Sequence, residues 1–587
     1  MSDQQKNELM AVIAELKNVS FQFEEEGPQV LKNLSLSLER GSFNILVGPG
    51  GSGKSTMCHL FNGRIPHLFD GVLEGEIFIE GSSTSEVEMK DISCSVGSVF
   101  QDPESMFATL SVEDEIAFGP ENLLFGREEI LESVESLLKL TGIAAYRHNL
   151  VWNLSGGQIQ KLGLAAVLAM KPRLIILDEP TANLDPSATR QVHELILKLK
   201  REGITILLVT RELDDFMASA DNLLVLDKGT LIASGEPYSL LIKHGMLMEK
   251  LGIWLPETVE IGLALIRAGY RLKSIPITVD ETLAVLEKLE LCPEGRILNG
   301  PEKNYHQHSG SPLIRAEDVR FSYGKGVYAI KGISLDIHPG EMLAIVGRNG
   351  AGKSTMARLL IGLNKCTEGK LELFGKDSRR WKVPNLANHI SLVFQNPEHQ
   401  FLTDTVAEEI EYSLQAQGTY EKETLENERN RILKMLNLEE EKENHPFALS
   451  AGNKRRLGVA TMLVGDPQVL IVDEPTYGQD REMTGTLMKL MKDIQSRGIA
   501  VVMISHDMRL VEEYADRVVV FSEGKKHFDG IPTDLFNKAE VLEGASLQPT
   551  LLFQLLKKLE EKKVICRGHI PGSEAFLQLL LNEGKAS

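Results

Sequence analysis

The chain has 587 residues, 42% of them hydrophobic and 25% charged, which is the composition of a folded multi-domain protein rather than a disordered one. Its net charge of −20 disfavours a general nucleic-acid binder, because such binding rests on Lys and Arg set against phosphates. It has no apolar run of about 18 residues, no signal-peptide core in residues 1–12 and no C-x-x-C pair among its five cysteines, so a bilayer span, a disulfide framework and a zinc or iron–sulfur site are disfavoured and a reducing cytosol fits.

The first predicted strand, Val19-Ser20-Phe21-Gln22-Phe23, ends on an aromatic residue. An apolar run over 43–47 then enters Gly48-Pro49-Gly50-Gly51-Ser52-Gly53-Lys54-Ser55, a match to G-x-x-x-x-G-K-[ST], and a helix-like stretch follows. In that strand–loop–helix setting the glycines let backbone N–H groups converge on phosphate oxygens, and the helix N-terminus adds partial positive charge. Lys54 is placed to reach the outer phosphates and Ser55 to hold Mg²⁺. Val99-Phe100-Gln101-Asp102-Pro103-Glu104 carries a strand into a proline turn. The amide oxygen of Gln101, at that strand end, can ligate Mg²⁺ or a water.

Leu154-Ser155-Gly156-Gly157-Gln158 precedes a helix-like stretch over 159–170. Read alone, such a start is either an anion site of backbone N–H groups or a plain cap. Residues 174–177 are an unbroken apolar run, as suits a strand buried on both faces of a parallel sheet. Asp178 and Glu179 then fall at its carboxyl end, where α/β sheets bind ligands. Asp178 is placed to support Mg²⁺, and Glu179 to orient or deprotonate an attacking water.

Proline-headed, Leu-rich segments at 256 and 276 predict a small helical add-on over 239–294. Residues 295–312, with Gly300-Pro301, Gly310 and Pro312 among polar residues, read as a linker. His306 and His308 on it are read as solvated side chains rather than metal ligands.

Past the linker the same order recurs. Tyr323 stands where Phe23 stood, and Gly347-Arg348-Asn349-Gly350-Ala351-Gly352-Lys353-Ser354 follows the apolar run 342–346. Gln395, Leu449-Ser450-Ala451-Gly452-Asn453 and Asp473-Glu474 repeat the later motifs, with Ser354 and Asp473 again in the Mg²⁺ roles. Lys54 and Lys353 are 299 apart, Gln101 and Gln395 294, and Asp178 and Asp473 295, so the first half carries five extra residues between its phosphate loop and Gln101. A second add-on is predicted over 541–587. Its Leu551, Leu552, Leu555, Leu556 and Leu559 recur at helical spacing and are read as burying against a core. The predicted cassettes span 12–238 and 313–540.

This order of motifs resembles the ATP-binding cassette ATPases. Gly48 to Thr56, Gln101, Leu154 to Gln158, Asp178-Glu179 and Asp185 match that family, as do Gly347 to Thr355, Gln395, Asp473-Glu474, Asp480 and His506. The resemblance covers both halves. It implies an α/β fold of two tandem P-loop ATPase domains, each with a helical signature subdomain, an antiparallel β subdomain and a helical add-on. Residues 100–122 and 394–411 resemble the ATPases of energy-coupling factor importers, which also carry C-terminal helical add-ons. The tandem fusion and Asp473-Glu474-Pro475-Thr476-Tyr477-Gly478-Gln479-Asp480 look most like fused ATPases assigned to uptake of thiamine precursors and other vitamins.

The resemblance implies an ATP hydrolase that uses ATP and Mg²⁺, with each ATP held between the phosphate loop of one cassette and the signature loop of the other. Site one would join Phe23, Lys54, Gln101, Asp178 and Glu179 to the signature residues Ser450 and Gly452. Site two would join Tyr323, Lys353, Gln395, Asp473, Glu474 and His506 to Ser155, Gly156, Gly157 and Gln158. The departures from the family gather at site one: Arg211 stands 295 residues before His506, its signature reads LSAGN, and the loop Tyr477-Gly478-Gln479-Asp480 differs from Asn183-Leu184-Asp185. A guanidinium stays protonated and cannot act as the neutral imidazole would. Site two is therefore expected to do most of the hydrolysis, while site one mainly binds ATP.

The implied partners are a transmembrane coupling subunit and a small substrate-binding membrane subunit, met at the cytoplasmic face of the membrane by this one chain without further self-association. Glu104, Glu113, Glu115, Glu398 and Glu408, after the two glutamines, are candidates to meet basic partner residues. The alternative is a soluble tandem cassette acting on ribosomes or nucleic acid. The short, weakly charged linker and the lack of clustered cysteines count against it, and retained Glu474 and His506 count against a purely regulatory switch. A vitamin, a vitamin precursor and cobalt or nickel all remain open as cargo.

Overall fold

The computed structural model describes residues 11–182, 184–300, 310–324, 326–394, 397–418, 421–465, 467–475, 481–567, 570 and 572–582. The chain divides into two units, Met1–Val285 and Leu286–Ser587.

In the first unit the strands Leu31–Glu39, Val12–Gln22, Val72–Ile79 and Ser82–Ser83 make an antiparallel sheet, in that order. A second sheet runs Thr230–Gly235, Asn222–Asp227, Phe43–Val47, Thr205–Val209, Leu174–Asp178, Val96–Val99. Its first strand is antiparallel and the rest are parallel. The central strands are apolar on both faces because both faces are covered. Leu46, Leu174, Ile176, Leu207 and Leu224 pack with the antiparallel sheet and the helix Lys54–Phe61. Phe43, Ile45, Val47, Ile175, Leu177 and Leu208 turn to the opposite core, with the helices Val112–Asn122, Gly156–Ala169 and Pro186–Arg201.

The second unit repeats this plan with the antiparallel order Tyr328–Ile337, Ile314–Ser322, Glu368–Leu373, Lys376–Asp377. Its six-stranded sheet runs Ile390–Val393, Val469–Asp473, Ala500–Ile504, Met342–Val346, Arg517–Ser522, Lys525–Gly530. In both units the phosphate-loop strand lies inside the sheet, so its loop and the acids at the end of the strand two places away emerge at the same carboxyl edge.

The segments read as add-ons hold helices Glu257–Arg267 and Val279–Lys288 in one and Leu551–Glu561 and Gly572–Asn582 in the other. Leu552, Leu555 and Leu559 are buried. The expected linker and add-on boundaries need correcting. Residues 286–300 belong to the second unit, where strand Ile297–Asn299 pairs in parallel with Ile565–Arg567. Gly295 N–H donates to Lys563 O (3.0 Å), and Arg296 donates to Leu580 O (2.7 Å). Backbone pairing of this kind depends on a partner nearly 270 residues away, so turn composition alone reads the stretch as a linker. His306 and His308 lie outside the described residues.

Candidate functional site

Each phosphate loop is shaped by glycines that no other residue replaces. A Cβ on Gly48 would lie 2.1 Å from Leu226 O, and one on Gly347 2.0 Å from Phe521 O. Gly53 and Gly352, at the helix starts, have φ of 100° and 101°. Around Gly50, Gly51 and Gly350 no atom would meet a Cβ, so the loop's outer face is an open cradle. Lys54 Nζ donates to Gly48 O and Pro49 O (both 2.8 Å), and Lys353 Nζ to Gly347 O (2.6 Å) and Arg348 O (3.1 Å). Both ammonium groups thus sit inside the loop. Burial, then the Arg211 charge, lowers the Lys54 pKa, and Glu179 and Asp178 oppose this. Ser52 Oγ is buried with no hydrogen-bond partner among the described residues. An orphaned hydroxyl, an open backbone face and an ammonium fit a polyphosphate.

Beside each loop a hydroxyl meets a carboxylate. Ser354 Oγ is 3.3 Å from Asp473 Oδ2, and Ser55 is hydrogen-bonded to Asp178. These oxygen donors suit a hard divalent cation. Burial raises the pKa of both aspartates; Glu474 adds to this at Asp473, and the serines and lysines oppose it. Gln101 is exposed just past strand Val96–Val99. Gln395 lies outside the described residues, as do Asn183 and the loop 476–480 that contains Asp480.

The two glutamates share an unusual backbone. Glu179 has φ 51° and Glu474 φ 48°, the left-handed region that a residue with a Cβ enters at a cost of about 1–3 kcal/mol. Each N–H donates 2.8 Å to the end of the neighbouring strand, at Val209 O or Ile504 O, and this bond holds the turn. The side-chain partners differ. Arg211 Nε lies 3.1 Å from Glu179 Oε1, and Arg211 N–H donates to Glu179 Oε2 at 3.3 Å. His506 Nδ1 lies 3.0 Å from Glu474 Oε1. A neutral imidazole that donates from Nδ1 keeps a lone pair on Nε2, whereas arginine has five donors and no acceptor. Burial raises the Glu179 pKa, and Arg211 only partly offsets it.

The aromatic residues are also anchored differently. Phe23 packs edge-on against Phe21 (4.9 Å) and Phe69 (6.2 Å). Tyr323 places its hydroxyl 3.2 Å from Thr355 Oγ1 and accepts from Arg358 at 3.4 Å. At the helix starts Gln158 closes a capping box on Ser155, with Ser155 N–H donating to Gln158 Oε1 at 2.9 Å. The shorter Asn453 bonds Glu441 Oε1 instead (3.0 Å), while its own N–H donates to Ser450 Oγ (3.3 Å).

The family described as ABC transporter matches residues 31–182 and 330–477. The chain belongs to the ABC transporter ATP-binding family. A Methanosarcina mazei protein, named provisionally an ABC transporter ATP-binding protein, is 35% identical over 572 residues, which cover 96% of each chain. A Bacillus subtilis (strain 168) protein, named provisionally the HMP/thiamine import ATP-binding protein YkoD, is 36% identical over 550 residues, 93% of this chain and 96% of its own. The solved structure of cbiO1 from Clostridium perfringens, described as part of the ABC transporter complex cbiONQ, matches with 29% identity and a TM-score of 0.38 over 43% of this chain and 100% of its own. As a member of this ABC family the chain is an ATP hydrolase with two cassettes.

Of the five glutamates that are candidates to meet a partner, Glu115 needs correcting. Glu115 is buried, and its Oε2 accepts from Ala108 N–H (3.0 Å), Thr109 N–H (2.8 Å) and Thr109 Oγ1 (2.8 Å). Glu113 is engaged by Arg147 at 2.8 Å, Glu398 by Lys454 at 2.6 Å, and Glu408 caps its helix with Thr405. Of the five, Glu104 is exposed with no such use among the described residues. Glu409, which the motif reading passed over, repeats Glu115: its Oε2 accepts from Leu402 N–H, Thr403 N–H and Thr403 Oγ1. The separation of 294 between Glu115 and Glu409, the same as between the two glutamines, is the signal that marks them as a repeated structural pair.

Proposed function

We propose that this chain is the energy-coupling ATPase of an energy-coupling-factor-type importer for a vitamin, vitamin precursor or transition-metal ion. In this reading one chain supplies both cassettes, and it lies at the cytoplasmic face of the membrane beneath a transmembrane coupling subunit and a small substrate-binding subunit. Support comes from similarity along nearly the whole chain to a relative named for HMP/thiamine import. Among the described residues no helix is long and apolar enough to cross a membrane, so the passage for cargo belongs to other subunits.

In each cassette the loop N–H groups and Lys54 or Lys353 bind the ATP phosphates. Ser55, Asp178 and Gln101, and Ser354, Asp473 and Gln395, are the groups that would hold Mg²⁺, which when bound neutralises phosphate charge. Glu474 orients the attacking water and takes its proton, with His506 fixing the carboxylate through Oε1. At site one the same carboxylate is tied to a permanent cation. Site two therefore does most of the hydrolysis, and site one mainly binds ATP.

The observation that carries this asymmetry is the contrast between Arg211–Glu179 at 3.1 Å and His506–Glu474 at 3.0 Å. It is tested by ATP turnover in Glu474→Gln against Glu179→Gln. The former should lose ~10²-fold or more and the latter far less; equal losses reject the asymmetry. Purification from detergent-solubilised membranes tests the importer reading, with two membrane subunits expected to co-elute. Co-elution with ribosomes or nucleic acid instead would favour the soluble alternative.

A further inference from the structure

On the helix Ala451–Leu463, which starts at the second signature, Arg455 is only 2% exposed. A guanidinium at that depth needs acceptors, and among the described residues it finds four backbone carbonyls. It donates to Phe394 O (2.5 Å), Pro475 O (3.3 Å), Asp473 O (3.4 Å) and Glu474 O. Burial lowers its pKa to about 10, opposed by Asp473 and Glu474, which leaves it charged at neutral pH.

The carbonyls belong to two separate pieces of the candidate site. Phe394 follows strand Ile390–Val393 and directly precedes Gln395. Residues 473–475 end the neighbouring strand Val469–Asp473 and include the left-handed turn at Glu474. Past the ends of a parallel ladder, carbonyls need partners from elsewhere, and a planar fork of five donors can serve several at once. Next to it, Lys454 Nζ bonds Glu398 Oε1 at 2.6 Å, so a second contact joins this helix to the segment after Gln395.

Among the described residues, the first unit lacks both contacts. The residue 295 positions before Arg455 is Gln160, buried, with its Oε1 unpartnered among the described residues. The residue before Lys454 at the same offset is Ile159, which carries no charge. An uncharged amide with two donors cannot span the same set of carbonyls.

We propose that Arg455 is a positioning residue for ATP hydrolysis in the second cassette. It holds the backbone of Glu474 and the approach to Gln395 in one geometry, and it does so from the helix of the 449–453 signature, so the placement of that helix governs the pose of the base. The inference rests on the reading that Glu474 serves the faster site.

The test uses the full chain carrying Glu179→Gln, in which remaining turnover reports Glu474. Adding Arg455→Gln, the residue found at position 160, should lower kcat by about tenfold or more, while KM and the affinity for a fluorescent ATP analogue stay within about threefold. Arg455→Lys keeps the charge without the fork and should give an intermediate kcat. It decides the matter if Arg455→Gln fails to fold. A kcat within about twofold of the parent, or a loss carried wholly by ATP affinity, overturns the positioning role alone. Absence of turnover in the Glu179→Gln parent overturns the site asymmetry and this inference with it.

Discussion

Two residues at matching positions, Arg211 and His506, touch the same atom type of the matching glutamates, Glu179 and Glu474, and leave them with different chemistry. Arg211 binds Glu179 through both its side chain and its N–H, so the carboxylate is held as an acceptor. A base in that role must break an ion pair before it takes a proton, and its partner has no lone pair to help. Replacing Arg211 by His in a Glu474→Gln background should therefore raise residual ATP turnover, by about threefold or more, within the range one positioned acid–base group supplies. An unchanged rate would mean that the Arg211 contact does not limit turnover at that glutamate. Both residues were legible in the sequence from the constant offset of 295, but the bond to the glutamate was not, because it forms between two strand ends.

At the scale of elements, a buried carboxylate organises the turn before a helix in each unit. Glu409 accepts from two backbone N–H groups and one hydroxyl, all within 2.8–2.9 Å. Its removal takes the charged acceptor from both backbone N–H groups, while the Thr403 hydroxyl keeps its bond to Thr405 O (3.1 Å). Glu409→Ala should cost about 3 kcal/mol in denaturant unfolding, by the usual worth of hydrogen bonds to a charged acceptor. Glu409→Gln should cost less, since one acceptor oxygen survives. A loss below about 0.5 kcal/mol for the alanine variant would mean that the turn is held by the rest of its backbone contacts. Charge pattern alone places Glu115 and Glu113 on the surface. Burial and bonding, which depend on the packed helices, place Glu115 inside.

At the scale of the whole molecule, the two units share a topology but not the chemistry that joins their sheets. In the second unit Arg517 forks onto Asp529 (2.5 and 2.9 Å) and also donates to Glu341 Oε1 (3.1 Å) and Asp336 O (3.0 Å). In the first unit the matching position is Asn222, which bonds Asn44 Oδ1 at 3.0 Å in a neutral network with Ser42. Glu341 has no exposed side-chain surface, so loss of Arg517 takes a cationic partner from a buried carboxylate. Arg517→Leu should destabilise the second unit by about 3–5 kcal/mol and leave the first unit's calorimetric transition in place. A common shift of both transitions would show that the units unfold together.

The same network makes an acid-sensitive contribution to the second unit. Burial pushes the Asp529 carboxyl up, but its bonds from Arg517 and Lys526 outweigh this and hold it below the ordinary value. A group with a depressed folded pKa contributes fully above its unfolded value, near 3.9, and that contribution is lost as pH falls through the lower folded value. Acidification below about pH 4 should therefore weaken the second unit through this group, and Asp529→Asn should flatten that limb of its stability profile. An unchanged profile would assign the acid response elsewhere.

The sequence by itself determined the tandem arrangement, the phosphate loops, the acids at the strand ends and the helix starts. Each of these is a local pattern: a run of apolar residues, a set of glycines or a cap, repeated at nearly constant spacing. The tertiary structure decided what faces those residues. The pairing of strand Ile297–Asn299 with Ile565–Arg567, the internal use of Glu115, the grip of Arg455 on four carbonyls and the bond between Arg211 and Glu179 all join segments from different elements. Such contacts depend on which strands are neighbours and which faces are covered, and side-chain spacing along the chain does not encode either.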